Sequence, residues 1–240
     1  MVSFPGVRIL SIALPAFLLV VPAFAGEGVW TSSGPPVAVS SIAIDQQNPS
    51  TVIAVGGPTV GGAQAVFTST DSGGWIKRAE ASNGVSISSL VSAPSNPSVI
   101  YASAWVGGTS SEGAVYVSRD GGTTWSFLHL FESSPILALA LNPLEPTILY
   151  AGGYSRDGPA LFLSMDGGHN WYPLSIPSKA LSVAALAIDP KEPGRLYAGT
   201  TCGLFTTGDL GRDWTALYGS AECFPVDAVA VSPTDSNTLT

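Results

Sequence analysis

Four carboxylates recur in this chain with the same companions around them. Asp71, Asp120, Asp166 and Asp209 lie in the segments STDSGGW from Ser69, SRDGGTTW from Ser118, SMDGGHNW from Ser164 and TGDLGRDW from Thr207. Each Asp follows a Ser or Thr by two positions, precedes a Gly by two, and is followed by Trp75, Trp125, Trp171 or Trp214. Such a carboxylate has two chemistries open to it. It can accept hydrogen bonds from backbone N–H groups of its own tight turn, with the Gly supplying the positive φ the turn needs. Alternatively it can ligate a hard cation such as Ca2+, which takes about 6 to 8 oxygen ligands. Each segment carries only one or two acids, so turn capping is the expected role, with no metal and no cofactor. The Trp residues supply large apolar area for packing between strands or neighbouring units. His129 and His169 are isolated in the sequence and suggest neither a zinc site nor a catalytic base.

The elements that must position these residues also repeat. The Asp positions are 49, 46 and 43 residues apart, within the ~40 to 50 residue period of propeller blades. Between them, an apolar run leads to a Pro-containing turn, at Asn48-Pro49, Asn96-Pro97, Asn142-Pro143, Asp189-Pro190 and Ser232-Pro233. A second apolar run follows each of the first four turns. A Gly-rich loop and a third short strand such as Ala114-Val115-Tyr116-Val117 come next, then the Asp segment and a Trp-led fourth strand. Short β-branched and aromatic runs between Gly, Pro, Asn and Ser clusters mark strands, and no sustained helical periodicity competes with them. The expected fold is all-β, a β-propeller of four-stranded antiparallel blades. Four blades and the start of a fifth are legible. The fifth Pro turn reaches Thr240 where a second strand should begin, so the reading is of an incomplete ring or an open arc.

The S/T-x-D-x-G-x-x-W pattern resembles the Asp-box, or BNR repeat, of sialidases, sortilin-type receptors, xyloglucan-hydrolysing glycosidases and photosystem II assembly factors. The first copy departs from it by one missing residue between Gly73 and Trp75. The resemblance implies the blade more than any activity, because one fold hosts many functions. A sialidase-like activity would imply an arginine cluster and a Tyr nucleophile. Beyond residue 25 there are five arginines, Arg78, Arg119, Arg156, Arg195 and Arg212, and two of these fall in Asp segments. A xyloglucanase-like activity would imply two carboxylates facing each other at roughly 5 to 10 Å. Glu112, Glu132, Asp157, Glu222 and Asp227 are the candidates for that, with nothing in their spacing to pair any two.

In a four-stranded blade the first-to-second and third-to-fourth turns share one face, so the Asp and Pro turns should lie together below. The second-to-third loops and the connections between blades should lie above, and loops on a rigid frame are where binding residues usually sit. Trp105, Tyr154, Arg156 and Asp157 are the most suggestive side chains there. Cys202 and Cys223 fall on the same upper face in adjacent units, and a disulfide between them is expected if the protein is exported.

The first 25 residues read as an export signal. Arg8 supplies the positive charge, Ile9 to Val21 an apolar core, and Ala23-Phe24-Ala25 a cleavage site. About thirteen apolar residues fall short of the ~20 a spanning helix needs. Residues 26–240 then form the propeller, secreted or periplasmic, with no membrane span. Only 11% of residues are charged, and the net charge is -8, which argues against nucleic acid as a partner. The expectation is a non-enzymatic scaffold that binds a protein or a glycan. The competing one is a secreted glycoside hydrolase of the xyloglucanase or, less so, sialidase type.

Overall fold

Runs such as Val52-Ile53-Ala54-Val55 and Ala65-Val66-Phe67 are apolar at every position, as a strand must be when both its faces are covered. A computed structural model describes residues 2–4, 7–9, 34–35, 37–57, 63–70, 74–82, 84–106, 112–177, 179–235 and 238–239. Strands β1 (Val2–Phe4) and β2 (Val7–Ile9) pair with one another. The rest of the predicted export signal, including its cleavage site after Ala25, lies outside the described residues.

Sixteen further strands form four antiparallel sheets, each with its four strands side by side in chain order. Blade I holds β3 (Ala38–Ile44), β4 (Val52–Gly57), β5 (Ala65–Ser69) and β6 (Trp75–Glu80). Blade II holds β7 (Ser86–Ala93), β8 (Asn96–Val106), β9 (Glu112–Ser118) and β10 (Ser126–Phe131). Blade III holds β11 (Ile136–Leu141), β12 (Leu149–Ser155), β13 (Gly158–Ser164) and β14 (Tyr172–Pro173). Blade IV holds β15 (Val183–Ile188), β16 (Leu196–Thr200), β17 (Gly203–Thr207) and β18 (Thr215–Tyr218). This is the all-β, incomplete propeller that the repeats imply. After blade IV the same motif begins again: Val226 N–H bonds to Thr200 O, Val231 bridges to Leu239, and Leu239 is buried against Tyr197 and Leu204.

The core lies between blades. Ile53, Val55 and Val66 of blade I meet Ile87, Leu90 and Ile100 of blade II. Val115, Val117 and Phe131 meet Ile136, Leu139 and Leu149 across the next interface, and Leu161 and Ile176 meet Val183 and Phe205 across the third. The outer strands β6, β10, β14 and β18 are the exposed edges. Pro173 is tolerated there because an edge strand has one unpaired side.

Two sequence expectations are corrected by the turns. Asp45, Asn142, Asp189 and Ser232 each donate their own N–H to a carbonyl six residues on, and their side chains accept N–H groups two and three residues on. The first turn is therefore aligned on Asp45, three residues ahead of Asn48-Pro49. In blade II, Ala93 pairs with Asn96 across Pro94-Ser95, so Asn96-Pro97 opens β8 and is not the turn. Moreover, the upper-face loop expected to carry Tyr154, Arg156 and Asp157 is mostly strand: Tyr154 pairs with Pro159 and Ser155 with Gly158, leaving a two-residue turn of Arg156 and Asp157.

Candidate functional site

Three of the four recurring acids can be followed atom by atom. Ser118, Ser164 and Thr207 end their strands buried, and each hydroxyl donates to the Asp two residues on, over 2.8, 3.0 and 2.7 Å. The same hydroxyl accepts the N–H of Gly122, Gly168 or Gly211. The Asp then accepts N–H groups three and four residues on, from Thr123 and Thr124, His169 and Asn170, or Arg212 and Asp213. Each indole N–H closes the turn from the other end, donating to Gly122 O, Gly168 O or Gly211 O. The Gly φ values of 90°, 90° and 88° lie in the left-handed region that favours glycine.

These bonds set the charge state. The Thr124 hydroxyl, helped by its N–H, holds the Asp120 carboxyl down to about 2. The Asn170 N–H and side-chain amide do the same for Asp166, also to about 2. The Asp213 N–H, with the Thr207 hydroxyl, lowers Asp209. A carboxylate so fixed is an anion at neutral pH and serves the turn. Asp71 lies outside the described residues. Trp75 pairs with Ser69 at the very start of β6, whereas in the other blades the strand begins after the Trp; the shorter first segment has drawn its Trp into the ladder.

The Asp and Pro turns do share a face. Gly121 N–H bonds to Ser98 O near the start of β8 and Gly167 N–H to Thr147 O just ahead of β12, tying each Asp turn to the end of its blade where the first turn lies. Gln47 Nε2 donates to Pro94 O and Lys191 Nζ to Thr234 O, joining the turns of successive repeats. On the opposite face Cys202, in the turn between β16 and β17, is bonded to Cys223 in the segment after β18. Trp105 sits near the end of β8 opposite Gly113, and its indole N–H is buried without a partner among the described residues. Tyr154 ends β12, and Arg156 and Asp157 are the exposed tip of the blade III hairpin. Among the described residues no hydrogen bond, ion pair or ring contact joins any two of Trp105, Tyr154, Arg156 and Asp157, and no group of three or more His, Cys, Asp or Glu is placed to hold a metal ion.

A cleft of about 280 Å3 opens between blades I and II. Sequence reasoning gives no sign of it. Its walls include Val66, Ala79 and Ala81 on one side and Ile87, Tyr116 and Trp125 on the other, with Glu80, Ser82 and Thr123 also lining it. Burial pushes the Tyr116 phenol up from its ordinary value. The cleft marks an outer-strand gap: where Phe131 of blade II packs against Phe162 and Trp171, blade I presents Ala81.

No family model matches the sequence, and no curated protein matches it. Among solved structures, an ancestral GH74 enzyme superposes with a TM-score of 0.63 at 19% identity, over 87% of this chain and 28% of that one. A chain of a nidogen/laminin complex gives 0.61 at 17% identity, over 81% and 69%. The GH74 xyloglucanase from Xanthomonas campestris gives 0.52 at 16% identity, over 84% and 43%. The chain thus spans 28% and 43% of the two GH74 chains it resembles. What it shares with all three is the propeller fold.

Proposed function

We propose that this chain is part of an exported Asp-box propeller that acts as a rigid, non-enzymatic scaffold for a protein or glycan partner. The observation that carries this reading is the use of the recurring carboxylates. Asp120, Asp166 and Asp209 each accept N–H and hydroxyl donors of their own turn. A general acid must be protonated near the working pH, and a carboxyl held down to about 2 is not. The repeat that dominates the sequence therefore builds the frame, and the partner meets what the frame displays. The Asp-box assignment draws support from three turns sharing one bonding scheme. Export draws support from the Cys202–Cys223 disulfide, since disulfides persist in oxidising compartments; among the described residues no helix is long and apolar enough to cross a membrane.

The test is direct. The full chain is incubated with xyloglucan and with a sialylated oligosaccharide while released reducing sugar or sialic acid is followed, and in parallel it is applied to an array of the same glycans. Retention on a glycan, or binding to a peptide ligand, without turnover is expected. Turnover lost on replacing an upper-face carboxylate such as Asp157 or Glu112 would make the chain a glycoside hydrolase.

A further inference from the structure

Each blade passes the ring of its third strand and the Trp of its Asp turn to the outer strand of the blade before it. Strand register aligns the partners. Phe67 pairs with Lys77 and Tyr116 with Phe127, so four residues further along, Ala81 of blade I takes the place of Phe131 of blade II. Phe131 fills its interface: its ring lies 4.7 Å from Phe162 and 5.2 Å from Trp171, centroid to centroid. Leu128 adds to the cover, since a Cβ on Gly168 would meet its Cδ1 at 3.0 Å. At the third interface Leu174 and Ile176 cover Phe205 and Trp214. In blade I the residue equivalent to Leu128 is Arg78, whose Nε is held by Thr68 Oγ1 at 2.7 Å. The three atoms nearest a Cβ on Gly122 accordingly include none from the outer strand. Tyr116 meets the Phe127 ring of its own blade edge-on at 5.8 Å, but among the described residues no ring of blade I covers Tyr116 or Trp125 across the cleft.

We propose, building on the scaffold reading above, that this cleft receives one aromatic side chain of a protein partner, flanked in that partner by Lys or Arg. The ring would stand where Phe131 stands in the next interface. The volume allows it, since a cavity of about 150 Å3 holds benzene and this one is about 280 Å3. The flanking charge follows from electrostatics. Glu80 is the acid of the lining, in a chain of net charge -8. Among the described residues it is paired with Lys77 on its own strand, and both side chains are about half exposed. An exposed pair of that kind is held weakly, so Glu80 is available to a basic residue beside the incoming ring.

Calorimetry of the full chain tests this with indole and with acetyl-Lys-Phe-Lys-amide. Both are expected to bind one per chain. Ala81→Phe, which restores the missing ring, should weaken both by about tenfold or more. Ala79→Leu, a smaller filling of the same wall, should act likewise if the first variant does not fold. Glu80→Lys should weaken the tripeptide by about fivefold and indole by less than about twofold. The proposal falls if indole does not bind, if both fillings leave binding unchanged, or if a xyloglucan oligosaccharide displaces indole while the tripeptide does not. Hydrolysis of xyloglucan by wild type and Ala81→Phe alike would end the scaffold reading without touching the cleft. Absence of indole binding would end the cleft proposal and leave the scaffold reading standing.

Discussion

The Ser164 hydroxyl donates to Asp166 Oδ1 at 3.0 Å and accepts the buried Gly168 N–H at 2.9 Å. One oxygen thereby joins the end of β13 to both halves of the turn that follows. Ser118 and Thr207 do the same in blades II and IV.

Ser164→Ala should therefore be costly for a single atom. It strands the Gly168 N–H in a buried site, which costs about 1 to 3 kcal/mol. Ser164→Thr, the residue type that blade IV uses, should recover most of the loss. Urea unfolding of the two variants distinguishes them.

Acid should loosen these turns in a defined window. Asp120 and Asp166 have folded values near 2 against 3.8 for the free group, so the unfolded chain takes up protons first as pH falls. The stability they contribute is complete above about pH 4 and is lost as pH falls toward about 2. Thermal melts followed by circular dichroism between these limits should decline steeply for wild type and less steeply for the double variant Asp120→Asn, Asp166→Asn, which starts lower at neutral pH.

Reduction should destabilise blade IV without unmaking the other blades. The Cys202–Cys223 bond joins residues 21 apart, and loop-closure entropy for such a loop corresponds to about 3 kcal/mol. Hydrogen exchange with and without reductant should place the loss of protection in β16 and β17. Uniform loss across blades I to III would contradict it.

Gly153 is where backbone meets backbone. A Cβ there would lie 1.9 Å from Pro135 O, the carbonyl that also accepts the Tyr154 N–H. Gly153→Ala should cost at least the ~1 to 3 kcal/mol of overpacking, whereas Gly208→Ala, with nothing within 4 Å of its Cβ, should not raise a comparable strain. Chemical denaturation of the pair provides the comparison.

What could be read in advance, and what could not, follows the range of the interactions. The bonds that the Asp carboxylates make are local, all within four residues, so the acids at 120, 166 and 209 carry their role in their own neighbourhood. The disulfide needed only the assignment of loops to a face. The indole N–H caps went unseen because a Trp in a strand pattern reads as apolar bulk. Asp45 went unseen because proline, the more conspicuous residue, drew the alignment to Asn48-Pro49. The cleft is a missing side chain, and Ala81 looks vacant only beside Phe131 once cross-strand register is known. Trp105, Tyr154, Arg156 and Asp157 read as loop residues in the sequence, but Trp105 and Tyr154 belong to strands and the other two to a minimal turn.

The first strand of every blade skips a register step at one place: between Val39 and Ser41, Ile87 and Ser89, Ile136 and Ala138, and Val183 and Ala185. The bulged residue shifts the phase of inward and outward positions, which is why Ile87 and Leu90, three apart, both enter the same core, as do Ile136 and Leu139. The strand therefore carries a built-in frameshift, and its sequence obeys two interleaved alternations. Deleting the bulged residue Leu137 would leave Ile136 and Leu139 two apart and still on one side of the sheet, whereas deleting Ala140 from the regular part of the strand would put Leu139 and Leu141 on opposite sides, so an indel of one is absorbed at the bulge and breaks the core beyond it.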